Sequence, residues 1–260
     1  GMLILRSIPF QICFYLNLIL QLLIFLPVFF FISEKQAWTI VKNMARSSLW
    51  ILKVVAGTDS TVEGQENLPK GGCIVASKHQ SFWEIIALLP QLESPTFILK
   101  KELMSIPVFG QYAKRMKMIP IDRSKRGGAI PAMLEEAKRA VGQGRQIVIF
   151  PEGTRVAPGA APDYRQGVYR LYEALDLPVV PVALNSGLYW PRKDVRRWPG
   201  TIRAELLPPL QPGLPRTDFL AHLREAIETR SKALLDEAER VDGLRPRPLR
   251  RTADEAERPS

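Results

Sequence analysis

The chain has 260 residues, of which 46% are hydrophobic and 24% are charged, and this ordinary globular mixture excludes wholesale disorder. The length allows one sizeable domain and an additional anchoring segment. The formal net charge of +10 favours an anionic partner, which can be nucleic acid, an acidic membrane surface or a phosphorylated substrate.

The chain contains two cysteines, Cys13 and Cys73. Two cysteines this far apart make neither a disulfide framework nor a metal cluster. We therefore expect both to be small buried apolar side chains. No metal and no bound cofactor is expected.

The N-terminal region predicts a helix that associates with a membrane. Residues 7–33 contain no charged side chain, and a helix of that length reaches about 40 Å, enough for a hydrocarbon core of about 30 Å. A cleaved signal peptide is disfavoured because the apolar run is long and no small-residue cleavage site follows it. A buried core helix is the other alternative, although soluble cores rarely need so long an uncharged run.

The next segment, residues 38–55, predicts an amphipathic helix. It combines two tryptophans and three basic residues with apolar positions, which suits the headgroup boundary of a membrane. Packing against the globular domain is an equal alternative. We expect residues 1–57 to form a two-helix anchor that either spans the membrane or enters one leaflet. If it spans, the basic residues after the apolar run place the C-terminal domain on the cytoplasmic side of the inner membrane.

After residue 57, short apolar runs alternate with helical stretches, a pattern typical of an α/β domain with a largely parallel sheet flanked by helices. The predicted strands are residues 73–77, 96–100, 118–121, 146–150, 179–184 and 202–206. The predicted helices are residues 82–89, 108–115, 129–141, 168–175 and 218–240. The last helix has Thr217 as its expected N-cap and carries His222, which we expect to be packed or solvated. This domain covers residues 58–241, and the prolines and mixed charges of residues 242–260 predict a disordered tail.

A candidate catalytic pair lies between a predicted strand and the helix that follows it. His79 is one of two histidines, and loops at the carboxyl ends of parallel strands are where active sites gather. Residues five apart on one helix point about 140° from each other. His79 can therefore meet Glu84 only if it lies on the loop and Glu84 lies in the first helical turn. Glu84 would then hold one imidazole nitrogen, leaving the other to accept a proton from a substrate hydroxyl.

The same residues have a purely structural interpretation. Ser81 and Glu84 fit the capping-box pattern, in which serine and glutamate close the first turn of a helix. Both roles are compatible because a carboxylate has two oxygens. The chain has no Gly-x-Ser-x-Gly elbow, which argues against Ser81 as a nucleophile and favours direct transfer assisted by a general base.

Four sequence blocks, in this order, resemble the motifs of the glycerolipid acyltransferase family, whose best-known members acylate lysophosphatidic acid. They are Lys78-His79-Gln80-Ser81 with Glu84; Lys100-Lys101-Glu102-Leu103 with Pro107, Gly110 and Ile121-Asp122-Arg123; Phe150-Pro151-Glu152-Gly153-Thr154-Arg155; and Val180-Pro181-Val182-Ala183-Leu184. The resemblance covers residues from about 60 to 210. The acidic residue of the family is usually aspartate and the residue before its histidine is commonly asparagine, so Glu84 and Lys78 are departures.

The resemblance implies a role for each matched residue. His79 would deprotonate the acceptor hydroxyl as it attacks the thioester of acyl-CoA or acyl-carrier protein, and Glu84 would orient the imidazole. The residues implied to bind the acceptor are Lys100, Arg123, Glu152, Gly153, Thr154 and Arg155. The basic ones would hold a phosphate, which a guanidinium group does with a planar fork. A solvated surface position is the alternative for each of them.

The implied function is transfer of a fatty acyl group to lysophosphatidic acid, forming phosphatidic acid. The expected partners are a membrane lipid acceptor, a thioester donor and the membrane surface, and no nucleic acid. Another lyso-lipid acceptor, such as lyso-ornithine lipid, and a thioester hydrolase are the alternatives. A noncatalytic binding module is disfavoured because the sequence has no zinc-ligand spacing and no aromatic-rich RNA-binding motif.

Overall fold

The computed structural model describes residues 1–248, apart from the side chain of Arg126. Its strands are β1 (Thr58–Glu63), β2 (Cys73–Ser77), β3 (Pro95–Lys100), β4 (Ile119–Ile121), β5 (Gln146–Ile149), β6 (Val179–Leu184) and β7 (Gly200–Leu206). Its helices are α1 (Met2–Phe29), α2 (Glu34–Ile51), α3 (Trp83–Leu88), α4 (Phe109–Arg115), α5 (Ile130–Gly142), α6 (Gly167–Leu175) and α7 (Arg216–Asp242).

The seven strands form one sheet in the order β1-β7-β6-β2-β5-β3-β4. The five strands from β6 to β4 in that order pair in parallel, β7 runs antiparallel to β6, and β1 runs parallel to β7. The prediction of an α/β fold with a largely parallel sheet is therefore confirmed. Because the five parallel strands share one direction, the loops after them meet at one edge of the sheet.

Helices cover both faces of the sheet, as the side chains of β2 illustrate. Cys73 and Val75 belong to the apolar core shared with α1, α2 and α3. Ile74 and Ala76 point to the opposite face, where α5, α6 and the first half of α7 pack. This alternation follows from the two-residue period of a strand. All five residues of β2 are buried, which is why a continuous apolar run marks it in the sequence.

The sequence analysis missed β1. Its sequence, Thr-Asp-Ser-Thr-Val-Glu, has no apolar run, and most of its side chains are only half-buried. The strand exists because its backbone pairs with β7 from Thr58 to Glu63 at the edge of the sheet. Pairing of this kind leaves little trace in the hydrophobic pattern.

The helix α1 is long and apolar enough to cross a membrane by length and composition, with a mean hydropathy of 2.3, and 11% of its most apolar window is buried. It nevertheless contacts the rest of the protein near both ends. Arg6 Nε donates to the carbonyl oxygen of Val55 (3.0 Å), and the hydroxyl of Tyr112 donates to the carbonyl oxygen of Leu22 (2.7 Å). α1 therefore lies along the domain and leaves its other side exposed.

A capping box starts the second N-terminal helix. Ser33 Oγ accepts from the N–H of Gln36 (3.1 Å), and the Gln36 side chain accepts from the N–H of Ser33 (3.1 Å). α2 then runs to Ile51 and continues into a π-helical turn, Leu52–Ala56. Its packing against α1 includes a hydrogen bond of 2.9 Å from Asn17 to Ser47.

Two side-chain predictions were wrong. Cys13 was expected to be buried, but it is exposed on α1, whereas Cys73 is buried as expected. α7 begins at Arg216 after Pro215, without a side-chain cap, so Thr217 is not its N-cap. The N-cap position is occupied by Pro215, whose side chain has no hydrogen-bond acceptor. His222 is exposed on α7.

The prediction of a disordered tail was wrong for its first residues. Asp242 still belongs to α7, and its carboxylate accepts from the N–H of Thr201 (3.1 Å) and from the hydroxyl of Tyr189. The guanidinium of Arg247 lies 3.6 Å from the centre of the Trp198 ring. Mixed charge and proline content did not reveal these contacts because they are tertiary. Residues 249–260 lie outside the described residues.

Candidate active site

The residues of the candidate site lie at or just after the carboxyl ends of parallel strands. His79 follows β2, Lys100 ends β3, Glu152 follows β5, and Ser186 follows β6. These four strands are neighbours or near neighbours in the sheet. The topology therefore brings distant segments of the chain together at the carboxyl ends of these strands.

His79 and Glu84 are in contact. The Nδ1 atom of His79 lies 3.1 Å from Oε2 of Glu84, whose side chain is fully buried, and the His79 side chain is 14% exposed. α3 begins at Trp83, so His79 lies on the loop and Glu84 in the first turn, the arrangement that the sequence spacing required. The contact engages Nδ1, so Nε2 is the ring nitrogen left to exchange a proton with a substrate.

Four donors hold the carboxylate of Glu84. Oε2 accepts from His79 and from the N–H groups of Gln80 (2.6 Å) and Ser81 (2.9 Å), and Oε1 accepts from the hydroxyl of Ser186 (2.7 Å). A buried carboxylate without partners is costly, and this one has both oxygens occupied. Glu84 is therefore fixed in position before any substrate arrives.

The capping interpretation is half realised. Glu84 accepts from the N–H of Ser81, as a capping box requires, but the Ser81 hydroxyl accepts from Trp83 (3.0 Å) and not from Glu84. The residue at the N-cap position is Phe82, which has no capping side chain. One carboxylate thus closes the turn and holds the imidazole, so the two interpretations do not exclude each other.

Phe150 packs against one face of the His79 imidazole. Its ring is stacked on that of His79, with centroids 3.9 Å apart and planes inclined by 19°. Phe150 directly follows β5, so the sheet sets its position. The ring contact and the Glu84 contact together restrict both the tilt and the rotation of the imidazole.

Glu152 lies beneath the site in a buried charge cluster. The Lys78 ammonium is 3.1 Å from a carboxylate oxygen of Glu152 and 2.9 Å from one of Glu228 on α7, and Tyr164 donates to Glu228 (2.8 Å). Burial raises the pKa of Glu152 above its ordinary value, and Lys78 opposes that rise. The Glu152 carboxylate is only 1% exposed and lies against Lys78, so its side chain points away from the solvent-accessible part of the site. Its observed partner is Lys78, the departure from the family pattern.

The turn formed by Gly153 and Thr154 is anchored to the histidine loop. Gly153 has a φ of 71°, a left-handed conformation that suits glycine, and its N–H donates to the carbonyl of Phe150 (2.9 Å). Two residues after Thr154, the N–H of Val156 donates to the carbonyl of His79 (2.8 Å). This hydrogen bond sets the position of the turn relative to the imidazole.

Several cations converge beside the pair. Loss of hydration lowers the pKa of Lys100, and repulsion from Arg123, Arg192 and Arg155 lowers it further. Burial likewise lowers the pKa of Arg155, as does Arg192, whereas the charge of Glu84 raises it. Mutual repulsion among cations is a cost that an anionic ligand removes, so the basic cluster is a candidate phosphate site.

Two members of this arrangement escaped the sequence analysis. Ser186 and Arg192 lie after β6, beyond the last motif. Ser186 is fully buried and reaches Glu84, which is 102 residues away in sequence. Only their position after a buried parallel strand could have marked them, because such loops form the active edge of the sheet.

Comparisons with known proteins agree on one family. The family model described as Acyltransferase matches residues 59–185. A 1-acyl-sn-glycerol-3-phosphate acyltransferase of Pseudomonas aeruginosa is 37% identical over 169 residues, which cover 65% of this chain and 66% of the relative. The alpha form from Mus musculus is 30% identical over 176 residues, which cover 65% and 62%. The chain thus spans about two thirds or less of the length of these relatives.

A solved structure has the same fold. The crystal structure of the 1-acyl-sn-glycerophosphate (LPA) acyltransferase PlsC of Thermotoga maritima superposes with a TM-score of 0.74, covering 90% of this chain and 99% of the other. The sequence identity is 21%, so this likeness concerns the fold alone.

Proposed function

The chain belongs to the acyltransferase family, and from that premise we propose that it transfers a fatty acyl group to the free hydroxyl of lysophosphatidic acid, forming phosphatidic acid. The proposed donor is acyl-CoA or acyl-carrier protein. The observation that carries the proposal is the contact of 3.1 Å between His79 and Glu84, formed beside a cluster of cations. A base next to an anion site is what an acceptor with both a hydroxyl and a phosphate requires.

The geometry supports a direct transfer. Nε2 of His79 takes the proton of the acceptor hydroxyl while the hydroxyl oxygen bonds to the carbonyl carbon of the thioester. The carbon–sulfur bond then breaks, and the imidazolium returns the proton to the leaving thiolate. Glu84 faces the imidazolium from the Nδ1 side and stabilises its positive charge. No covalent acyl-enzyme is needed.

The acceptor phosphate would lie against Lys100, Arg155 and Arg192, with Arg123 at the rim. Arg155 is the central candidate because it is half-buried and interacts electrostatically with both Arg192 and Glu84. A charge-assisted hydrogen bond from a guanidinium group places the phosphate and thereby orients the hydroxyl. Glu152 and Lys78 then act as positioning residues beneath the turn.

A thioester hydrolase would use the same base to activate water, but it has no use for a phosphate site. The experiment that separates the two functions supplies labelled acyl-CoA to the purified full chain with and without a panel of lyso-lipid acceptors. We expect labelled phosphatidic acid in the presence of lysophosphatidic acid and little release of fatty acid without an acceptor. Release that does not depend on the acceptor would establish a hydrolase, and transfer only to another lyso-lipid would correct the acceptor.

We further infer that α1 enters one leaflet and does not cross the bilayer. It is held to the domain by Arg6 near its start and by Tyr112 near its end, so a perpendicular crossing would pull the domain into the hydrocarbon. A tilted helix in the interface would expose one apolar side to lipid, and the exposed apolar side chains of α1 fit that arrangement. The thioester donors are cytoplasmic, which favours the inner face of the cytoplasmic membrane.

The two anchoring modes differ in where the N-terminus lies. With Cys13→Ser as background, Met2→Cys should react with an impermeant thiol reagent only from the side that also labels Lys193→Cys, an exposed position on the domain. Labelling of position 2 from the opposite side would establish a spanning helix.

A further inference from the structure

Residues 103–109, which lie after β3 and include the first residue of α4, expose an unusual amount of apolar surface, and we refer to them as the exposed turn. Leu103 is 36% exposed, Ile106 45% and Phe109 38%. Among the described residues after Gly57, the exposed large apolar side chains are Phe82, Leu103, Ile106, Phe109, Val195 and Val241. Half of them therefore lie within seven residues, and such clustering marks an interaction surface.

The exposed turn has a strained and closed backbone. Val108 has a φ of 69°, which a β-branched residue rarely adopts. The N–H of Gly110 donates to the carbonyl of Ile106 (2.8 Å), and a side chain at Gly110 would collide with the carbonyl oxygen of Met104. Strain of this kind persists only where the surrounding structure imposes it, and it is concentrated at functional sites.

The exposed turn is joined to the lipid-facing part of the molecule. It runs into α4, whose buried side holds the second half of α1: the Tyr112 hydroxyl donates to Leu22 (2.7 Å), and the Tyr112 and Phe29 rings are 4.2 Å apart. Arg115 also donates to the carbonyl of Ile32 (3.2 Å). At its other end the turn is separated by two residues from Lys100, a member of the basic cluster.

The charges around the exposed turn suit an anionic interface. Lys101 and Lys114 are exposed on either side of it, as is the acidic Glu102 next to Leu103, and in the described part of the chain the Lys101 ammonium lies 3.9 Å from the carboxylate of Asp122. Apolar side chains flanked by lysines are the composition of segments that lie at a membrane surface.

From these observations we propose that the exposed turn is a second membrane contact, which inserts Leu103, Ile106 and Phe109 into the leaflet that holds α1. The inference builds on the proposed function by naming the membrane as the partner next to the acceptor site. The acceptor lipid then keeps its acyl chain in the leaflet while its phosphate reaches Lys100. The exposed turn would hold the mouth of the site against the lipid surface.

Insertion is measured by an environment-sensitive fluorophore at position 106. The full chain with Ile106→Cys, in a Cys13→Ser background that leaves only the buried Cys73, is labelled and mixed with vesicles of phosphatidylcholine and phosphatidylglycerol. We expect a blue shift of the emission and its quenching by brominated lipid chains. The matched control is Val241→Cys, an exposed apolar position at the end of α7, which should show neither effect. An emission at position 106 that resembles the control would overturn the proposal.

The same fluorophore distinguishes the membrane from two other possible partners of the exposed turn. A blue shift that needs acyl-carrier protein and not vesicles would replace the membrane by a protein donor. A shift that grows with protein concentration in the absence of lipid would indicate a second copy of the chain. Either result contradicts membrane insertion, and melting curves of the labelled variants establish that they are folded.

The kinetics of a substituted enzyme test membrane insertion of the exposed turn separately from acyl transfer. Ile106→Glu should raise the KM for lysophosphatidic acid in vesicles by about tenfold, because one apolar side chain leaves the lipid. Transfer to a short-chain, water-soluble acceptor should keep its rate. Equal KM values for both enzymes in vesicles would reject the inserted turn while leaving acyl transfer intact. Absence of transfer to any acceptor would reject the proposed function, whereas the fluorescence result would still stand.

Discussion

The hydroxyl of Ser186 donates a hydrogen bond of 2.7 Å to Glu84, to the carboxylate oxygen that does not contact His79. Glu84 thus orients the imidazole of His79, and Ser186, which follows β6, orients Glu84. A chain of contacts from β6 to the base makes Ser186 a positioning residue of the proposed mechanism.

Replacement of Ser186 by alanine should lower kcat by roughly tenfold, in line with the loss of a hydrogen bond to a charged group. The KM values should change little, because Ser186 is fully buried and its hydroxyl is bonded to Glu84. Ser231→Ala is the matched control: Ser231 is also buried, and its hydroxyl accepts from the N–H of Leu184 (3.2 Å), away from Glu84. Steady-state kinetics and melting curves of both variants are compared. An equal loss of kcat in both would show that the effect is structural.

Glu84→Gln should lower kcat by about a hundredfold while leaving the melting temperature almost unchanged. The glutamine oxygen can still accept from the N–H groups of Gln80 and Ser81, so the helix start is retained, but the neutral amide cannot stabilise an imidazolium. Glu84→Asp keeps the charge and should retain more activity than the glutamine variant. Unchanged turnover in Glu84→Gln would leave Glu84 a structural role only.

The dyad could be predicted because it is local. His79 and Glu84 are separated by one turn whose geometry follows from a strand end and a helix start, and β2 and β6 are marked by continuous buried runs. Ser186 and Arg192 could not be predicted in the same way. Their contacts depend on which strands become neighbours in the sheet, and no local pattern encodes that order.

Other misses have the same physical origin. β1 is held by backbone pairing at an edge, and the segment after α7 is held by Asp242 and Arg247 in tertiary contacts. Cys13 is exposed because it lies on the side of α1 that faces away from the domain. Amino-acid composition does not indicate which side of the helix that is.

Arg192→Ala should raise the KM for lysophosphatidic acid by at least about tenfold, since a charge-assisted contact to phosphate is lost. Arg155→Ala should have the same effect, and neither should change the KM for the thioester donor. Arg139→Ala, on the exposed side of α5 and distant from the cluster, serves as the control. Comparable damage to donor binding in the Arg155 and Arg192 variants would contradict the assignment of an acceptor phosphate site.

Lys78→Met should destabilise the fold, and the loss should be larger at alkaline than at acidic pH. The substitution leaves the buried Glu152 and the partly exposed Glu228 without their cation, and breaking a buried pair costs about 3–5 kcal/mol. The pKa of Glu152 is raised above its ordinary value of 4.5. Lys78 opposes that rise, so its loss raises the pKa of Glu152 further in the folded variant, and the destabilisation decreases as pH falls through this higher pKa. Melting temperatures of the unmodified protein and of Lys78→Met, measured from acidic to alkaline pH, test this prediction. A difference in melting temperature that does not change with pH would contradict it.

The most direct test of the central claim is the formation of labelled phosphatidic acid by the full chain and by His79→Ala. The unmodified protein should transfer label from acyl-CoA to lysophosphatidic acid, whereas the variant should remain folded, bind the acceptor and form no product above background. Product formed by His79→Ala at a rate near that of the unmodified protein would contradict the assignment of this imidazole as the general base.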